Sequence, residues 1–199
     1  MDFALLPFIG FAFAASVTPG PNNVMIAAAA ATHGVRAVLP QVLGIFGGFG
    51  AMILIVGLGL AVPLAAFPEI ATAMRWLGFA WLLVMAWKIA TAPPPGARQG
   101  HPPMRFIGGA MFQWINPKAW MLALGVATAW TLPALPLAPQ IGGMAAIFAI
   151  VGIPCGLLWA ALGAHAGRLL QSPGRLRAFN VAMALLLVAS MLPVLFEQP

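Results

Sequence analysis

Two short runs hold the residue types that could do chemistry in this chain: Thr18-Pro19-Gly20-Pro21-Asn22-Asn23 and Asn116-Pro117-Lys118. Each sets proline beside amide side chains within an otherwise apolar stretch. Proline lacks a backbone donor and disfavours helix in the residue before it, so Pro19 and Pro21 around Gly20 should break a helix. Asparagine followed by proline is a helix-start signature, which puts a second break at Pro117. A restarting helix points free N–H groups and the positive end of its dipole at what lies before it, an arrangement suited to a carboxylate. Lys118 adds a full positive charge, and Asn22, Asn23 and Asn116 add amide donors and acceptors. Thr18, Gly20, Asn22, Asn23, Asn116 and Lys118 are therefore the candidate substrate-binding residues. The plainer alternative is that the prolines only kink the chain and the asparagines staple neighbouring helices.

The rest of the chain must hold these runs in place. Of its 199 residues 62% are hydrophobic and 6% charged, against roughly 25% charged in a soluble domain. With a mean hydropathy of +1.00, the chain cannot cover itself with polar groups, so lipid must cover it. At about 20 residues per span, the expected architecture is an all-α membrane protein of six helices in one transmembrane domain, residues 1–199. Apolar segments run about Phe3–Ala31, Val38–Val62 and Ile70–Ala92, then Phe106–Trp130, Gln140–Gly163 and Phe179–Leu195. Gly34 is placed as a helix C-cap, and Pro93-Pro94-Pro95-Gly96 opens the longest loop. That loop, about 93–105, separates a first repeat (about 3–92) from a second (about 106–195). Three spans is an odd number, so the second repeat enters the membrane from the opposite side. The two breaks then fall in helices 1 and 4, the first of each inverted repeat, where a transporter keeps its central site.

Charge gives the orientation. Arg36 follows segment one, Lys88 ends segment three, Arg98 and Arg105 sit in the middle loop, and Arg168, Arg175 and Arg177 follow segment five. Asp2, Glu69 and Glu197 fall on the other side, with Arg75 the one basic residue near them. The positive-inside rule makes the basic side cytoplasmic and both termini external. The net charge of +6 thus reports orientation and implies no nucleic-acid partner. Ala12-Phe13-Ala14 resembles a cleavage site, but the acidic start Met1-Asp2 is not that of a signal peptide. Trp76, Trp87 and Trp130 fall near segment ends, as interfacial indoles do. The small-residue face Gly44, Gly47, Gly48 and Ala51 suits close packing within the chain, or a homodimer. Cys155 lies in an apolar run and reads as core filler.

At the two proline runs the sequence resembles the LysE/RhtB family of bacterial amino-acid exporters. That family carries a Thr-Pro-Gly-Pro-Asn-type motif in its first segment and often Asn-Pro-Lys in its fourth, matched here by Thr18 to Asn22 and Asn116 to Lys118. The resemblance extends over essentially the whole chain and includes His33-Gly34-Val35-Arg36. Trp87-Lys88-Ile89-Ala90-Thr91 and Ala184-Leu185-Leu186-Leu187-Val188 are similar especially to the cysteine/O-acetylserine exporter branch. The resemblance implies a secondary transporter of the bacterial inner membrane that exports amino acids or close derivatives on the proton gradient, with no cofactor. No acidic residue is evident within the segments, which points to small neutral substrates, because a cationic side chain wants a buried carboxylate. It also leaves Lys118, His33 and His165 as the candidate proton carriers. The two histidines sit near predicted cytoplasmic ends, where a capping role competes; His101 lies in the polar loop.

Two other classes would need different residues. A metal-ion exporter of a related fold would show His-rich loops or intramembrane carboxylates. A membrane-integral enzyme would need a nucleophile, a carboxylate pair or a histidine cluster. The sequence has three scattered histidines and no HExxH or Gly-x-Ser-x-Gly motif, so a transporter without a bound metal is the expectation.

Overall fold

A chain surrounded by hydrocarbon must satisfy its backbone internally, and helix does this within one segment. The computed structural model describes residues 5–61, 66–92, 102–170 and 172–192. Among these residues there is no strand, and eight α-helices follow one another. They are α1 (Leu5–Val17), α2 (Pro21–His33), α3 (Val35–Ile55, continued by a π turn over Val56–Leu60) and α4 (Pro68–Ala90). Then come α5 (Phe106–Phe112, continued by a 3-10 turn over Gln113–Ile115), α6 (Pro117–Ala129), α7 (Leu137–Leu169) and α8 (Pro173–Ala189). Asp2, Glu197, the stretch Pro93 to Gly96, Arg98, His101 and the end of the sixth expected segment lie outside the described residues.

Both expected interruptions are present. The first segment is two half-helices, α1 and α2, parted at Thr18-Pro19-Gly20, and the fourth is α5 and α6, parted at Asn116. Among the described residues three helical stretches are long and apolar enough by themselves to cross a membrane: Val35–Leu60, Thr72–Ala90 and Leu137–Leu169. Leu5–Val17 and Phe106–Ile115 are shorter apolar pieces.

The linkers are shorter than the sequence suggests. Gly34 alone separates α2 from α3; its φ of 80° reverses the chain while its N–H bonds Ala30 O at 2.8 Å. Arg36, expected in a loop, is therefore in the first turn of α3. Segment five runs on to Leu169, so Arg168 and His165 are helical. Ser172 caps α8 by accepting from Arg175 N, and Pro173 starts the helix, which places Arg175 and Arg177 in helix as well. Polar residues at both helix ends hid this continuity. Gln140, expected to open segment five, sits inside α7 and clamps the preceding turn through Leu132, Leu135 and Pro136.

Glycine sets the helix crossings. Gly44 and Gly48 of α3 lie against the backbones of Phe106 and Ala110 of α5, and Gly109 lies against Gln41 and Ile45. These pairs advance together, so α3 and α5 run parallel. Gly163 and Gly167 of α7 meet Ala27 and Ala31 of α2 in the same way. Gly152 and Gly156 receive the Phe46 ring, which joins α7 to α3 in the antiparallel sense. Leu82, Met85 and Ala86 of α4 pack with Ala184, Leu187 and Met191 of α8 in a separate cluster. The small-residue face of α3 is thus used within the chain. Cys155 is buried. Trp87 is exposed, whereas Trp130 turns inward onto Phe8 and Phe11.

Helix direction and contact place the C-terminal ends of α2, α4 and α7 and the start of α5 at one end of the bundle. Arg36, Lys88, Arg105, Arg168, Arg175 and Arg177 share that end, while Glu69 opens α4 at the other.

Gly48→Leu should force α5 off α3 and destabilise the protein by about 1–3 kcal/mol or more. Gly125→Ala, where nothing lies within 4 Å of an added Cβ, should raise stability by about 0.5–1 kcal/mol. Thermal unfolding in detergent compares the two.

Candidate functional site

The chemistry of the first break begins with its carbonyls. A helix end leaves its last C=O groups without intrahelical partners. Here each of them finds one. Ala14 O accepts from Thr18 N at 3.1 Å, and Ala15 O from Thr18 Oγ1 at 3.2 Å. Asn23 Nδ2 donates to Ser16 O at 2.7 Å and to Thr18 O at 2.8 Å. Trp159 of α7 donates its indole N–H to Val17 O at 3.0 Å. Pro19 O accepts from Lys118 Nζ at 3.4 Å, and Gly20 O from Val24 N at 3.0 Å.

The second break is capped from within. Asn116 accepts from Lys118 N at 3.2 Å, as the cap-plus-proline pattern predicts. Trp120 Nε1 returns to Trp114 O at 2.9 Å. Gly78 of α4 approaches Ile115 O and the Pro117 ring so closely that an added Cβ would lie within 3 Å of both.

The two breaks meet. Lys118 Nζ donates to Thr18 Oγ1 at 3.2 Å across the gap. Asn22 and Gln113 form a reciprocal amide pair at 3.0 and 3.2 Å, and Asn116 Nδ2 reaches Asn22 Oδ1 at 3.4 Å. Gln113 is fully buried and also donates to Gly109 O. All six candidate binding residues, Thr18, Gly20, Asn22, Asn23, Asn116 and Lys118, line one cavity of about 40 Å³. By that measure one water needs roughly 10–15 Å³, so about three fit. The far wall is apolar, with Phe46, Phe49 and Phe148. Behind it Phe8, Phe11, Phe49, Phe148 and Trp130 form a linked aromatic cluster with centroids 5.0–5.9 Å apart.

Electrostatically the site is one-sided. The amine of Lys118 has two partners, a hydroxyl and a carbonyl, both neutral. It lies beside Gly20, whose added Cβ would fall 3.0 Å from Nζ, at the start of α2. That start carries no side-chain cap. No Asp or Glu is among the described residues lining the cavity. Asn23 Oδ1 is buried and accepts from nothing. Cation, helix N-terminus and bare acceptor together complement a molecule that carries a carboxylate and a donor.

Neither histidine joins the site. His33 ends α2 and borders a second, larger cavity, and His165 is exposed on α7. Among the described residues no cluster of His, Cys, Asp and Glu could hold a metal ion. Gln113 and Trp159 join the site without having been expected there. Gln113 carried a signal, since an amide deep in an apolar segment marks a buried interaction; Trp159 carried none that separates it from the other indoles.

The family described as LysE type translocator matches residues 13–195. The chain is 30% identical over 185 residues to the cysteine/O-acetylserine efflux protein of Salmonella paratyphi A and to that of Salmonella typhi. It is 28% identical over 185 residues to the cysteine/O-acetylserine efflux protein of Escherichia coli strain K12. Each match covers 92% of this chain and 93% of the relative. No solved structure matches the chain significantly.

Asn23→Leu should leave the buried Ser16 carbonyl without a donor and lower stability by about 1–3 kcal/mol. Trp159→Phe should cost about 1 kcal/mol through Val17 O. Urea or thermal melts of the purified variants measure both.

Proposed function

The chain belongs to the LysE type translocator family, and we propose that it exports small neutral amino acids or their derivatives by alternating access around the paired breaks. One observation carries this reading: the Lys118 amine stands at the meeting point of two broken helices with only neutral partners. A cation held inside an apolar bundle is costly unless an anion meets it. The carboxylate of an amino acid supplies that anion. It would lie between Lys118 and the uncapped start of α2, with its ammonium turned to Asn23 Oδ1 and its side chain against Phe46, Phe49 and Phe148. That no Asp or Glu is among the described lining residues favours a neutral over a cationic side chain. The names of the similar efflux proteins support cysteine and O-acetylserine as the first substrates to test.

The same reading takes the chain as one domain of six spans, with α1–α2 and α5–α6 each counted as one. The contacts support an inverted repeat. The broken pair α1–α2 packs on α7, the broken pair α5–α6 packs on α3, and α3 and α7 pack on each other. Exchanging the two halves leaves this pattern unchanged. The basic end then faces the cytoplasm of a bacterial inner membrane, with both chain termini outside. The aromatic cluster around Phe8 and Trp130 closes the outer side, and the wider cavity by His33 opens inward. Proton coupling belongs to the proposal, with Lys118 the one candidate carrier that lines the site.

Energised everted vesicles supplied from the medium with labelled cysteine, O-acetylserine and lysine test the reading, with and without a proton uncoupler. Accumulation of the first two should collapse with uncoupler. Lys118→Gln should lower it roughly ten- to hundred-fold, the worth of a charge-assisted hydrogen bond, at unchanged protein level. Normal accumulation by Lys118→Gln removes Lys118 from the mechanism.

A further inference from the structure

A second cavity, of about 660 Å³, opens at the basic end of the bundle, one turn beyond the breaks along α2. Its wall holds Gln41 of α3 and Asn180 of α8, each 1% exposed. Gln41 Oε1, Asn180 Oδ1 and Asn180 Nδ2 have no hydrogen-bond partner. Buried amides without partners are rare, and one with both ends bare calls for a ligand or a second arrangement. Lys88 and His33 lie on the rim, exposed. No Asp or Glu is among the described lining residues.

We propose that Gln41 and Asn180 form an entry site that holds a small zwitterionic amino acid before it reaches the breaks. The bare groups fit that chemistry. Two carbonyl oxygens accept from an α-ammonium, while Asn180 Nδ2 and the Lys88 amine donate to the carboxylate. Both residues border the cavity, and the broad terminal torsion of an amide lets its polar atoms be re-aimed when a ligand arrives. The width admits substrate together with its water, whereas the space at the breaks holds about three waters. Release from one site to the other needs no long step, because Met25 borders the wider cavity and Asn23 the smaller one on the same helix. The inference rests on the exporter reading for its substrate class.

Asn180→Leu and Gln41→Leu test it in everted vesicles and in purified protein, with radiolabelled L-cysteine as probe. The apparent KM should rise about tenfold, the worth of one hydrogen bond to a charged group, with the maximal rate within about twofold. The substrate-free melting temperature of Asn180→Leu should stay level or rise, because an unpartnered amide is replaced by an apolar side chain of similar shape. A lower melting temperature would make Asn180 structural and end the proposal, as would an unchanged KM. Lys118→Gln separates the two readings. In that background cysteine binding should persist without transport and disappear when Asn180→Leu is added. Loss of all binding in Lys118→Gln alone leaves a single site at the breaks and overturns the entry site. Wild-type binding that is lost in Asn180→Leu, without any wild-type transport, overturns the exporter reading instead.

Discussion

A helix opened inside an apolar bundle must find a partner for each carbonyl it frees, and this constraint organises the molecule. At the end of α1 the partners come from three places: the local Thr18 and Asn23, Trp159 on α7, and Lys118 on α6. None of these is spare. Asn23 is held by the break it stabilises, and Trp159 ties the longest helix to the same point. Lys118 is drawn to the first break by Thr18 and Pro19, although its own helix belongs to the second. The two interruptions are thus each incomplete without the other.

Local order at the breaks comes from short-range chemistry, and their meeting comes from helix packing. Gly44, Gly48 and Gly109 let α5 press against α3, and this sets where Gln113 and Asn116 arrive. Gly163 and Gly167 do the same for α7 against α2. A side chain at any of these crossings would separate backbones, and with them the amide cluster Asn22–Gln113–Asn116. Polar groups so placed limit the arrangements the apolar helices can adopt, since each must keep its partner.

Much of this was legible in the residues. Proline spacing located both interruptions to within a residue or two, because the missing donor and the steric bar on the preceding residue act locally. Asn116 as a cap and Gly34 as a helix stop followed from the same local rules. Less legible was whatever depended on packing. Arg36, Arg175 and Arg177 read as loop residues, yet long basic side chains at a helix end reach outward while their backbone stays helical. Trp130 read as interfacial, but its neighbours Phe8 and Phe11 are more than a hundred residues away in sequence. Gln41 and Asn180 stand near the starts of their apolar segments, where an amide is ordinary; only their burial, at 1% exposed, sets them apart.

The length of α7 bears on how the protein sits among lipids. Its 33 residues extend about 50 Å at 1.5 Å per residue, against roughly 30 Å of hydrocarbon. Such a rod must lean or protrude, and its slope follows the thickness of the bilayer around it. Trp159 rides on this rod and grips the severed end of α1. Lipid acyl-chain length therefore has a mechanical route to the interior of the molecule: a thinner or thicker sheet changes the lean of α7 and pulls on Val17 through a single indole.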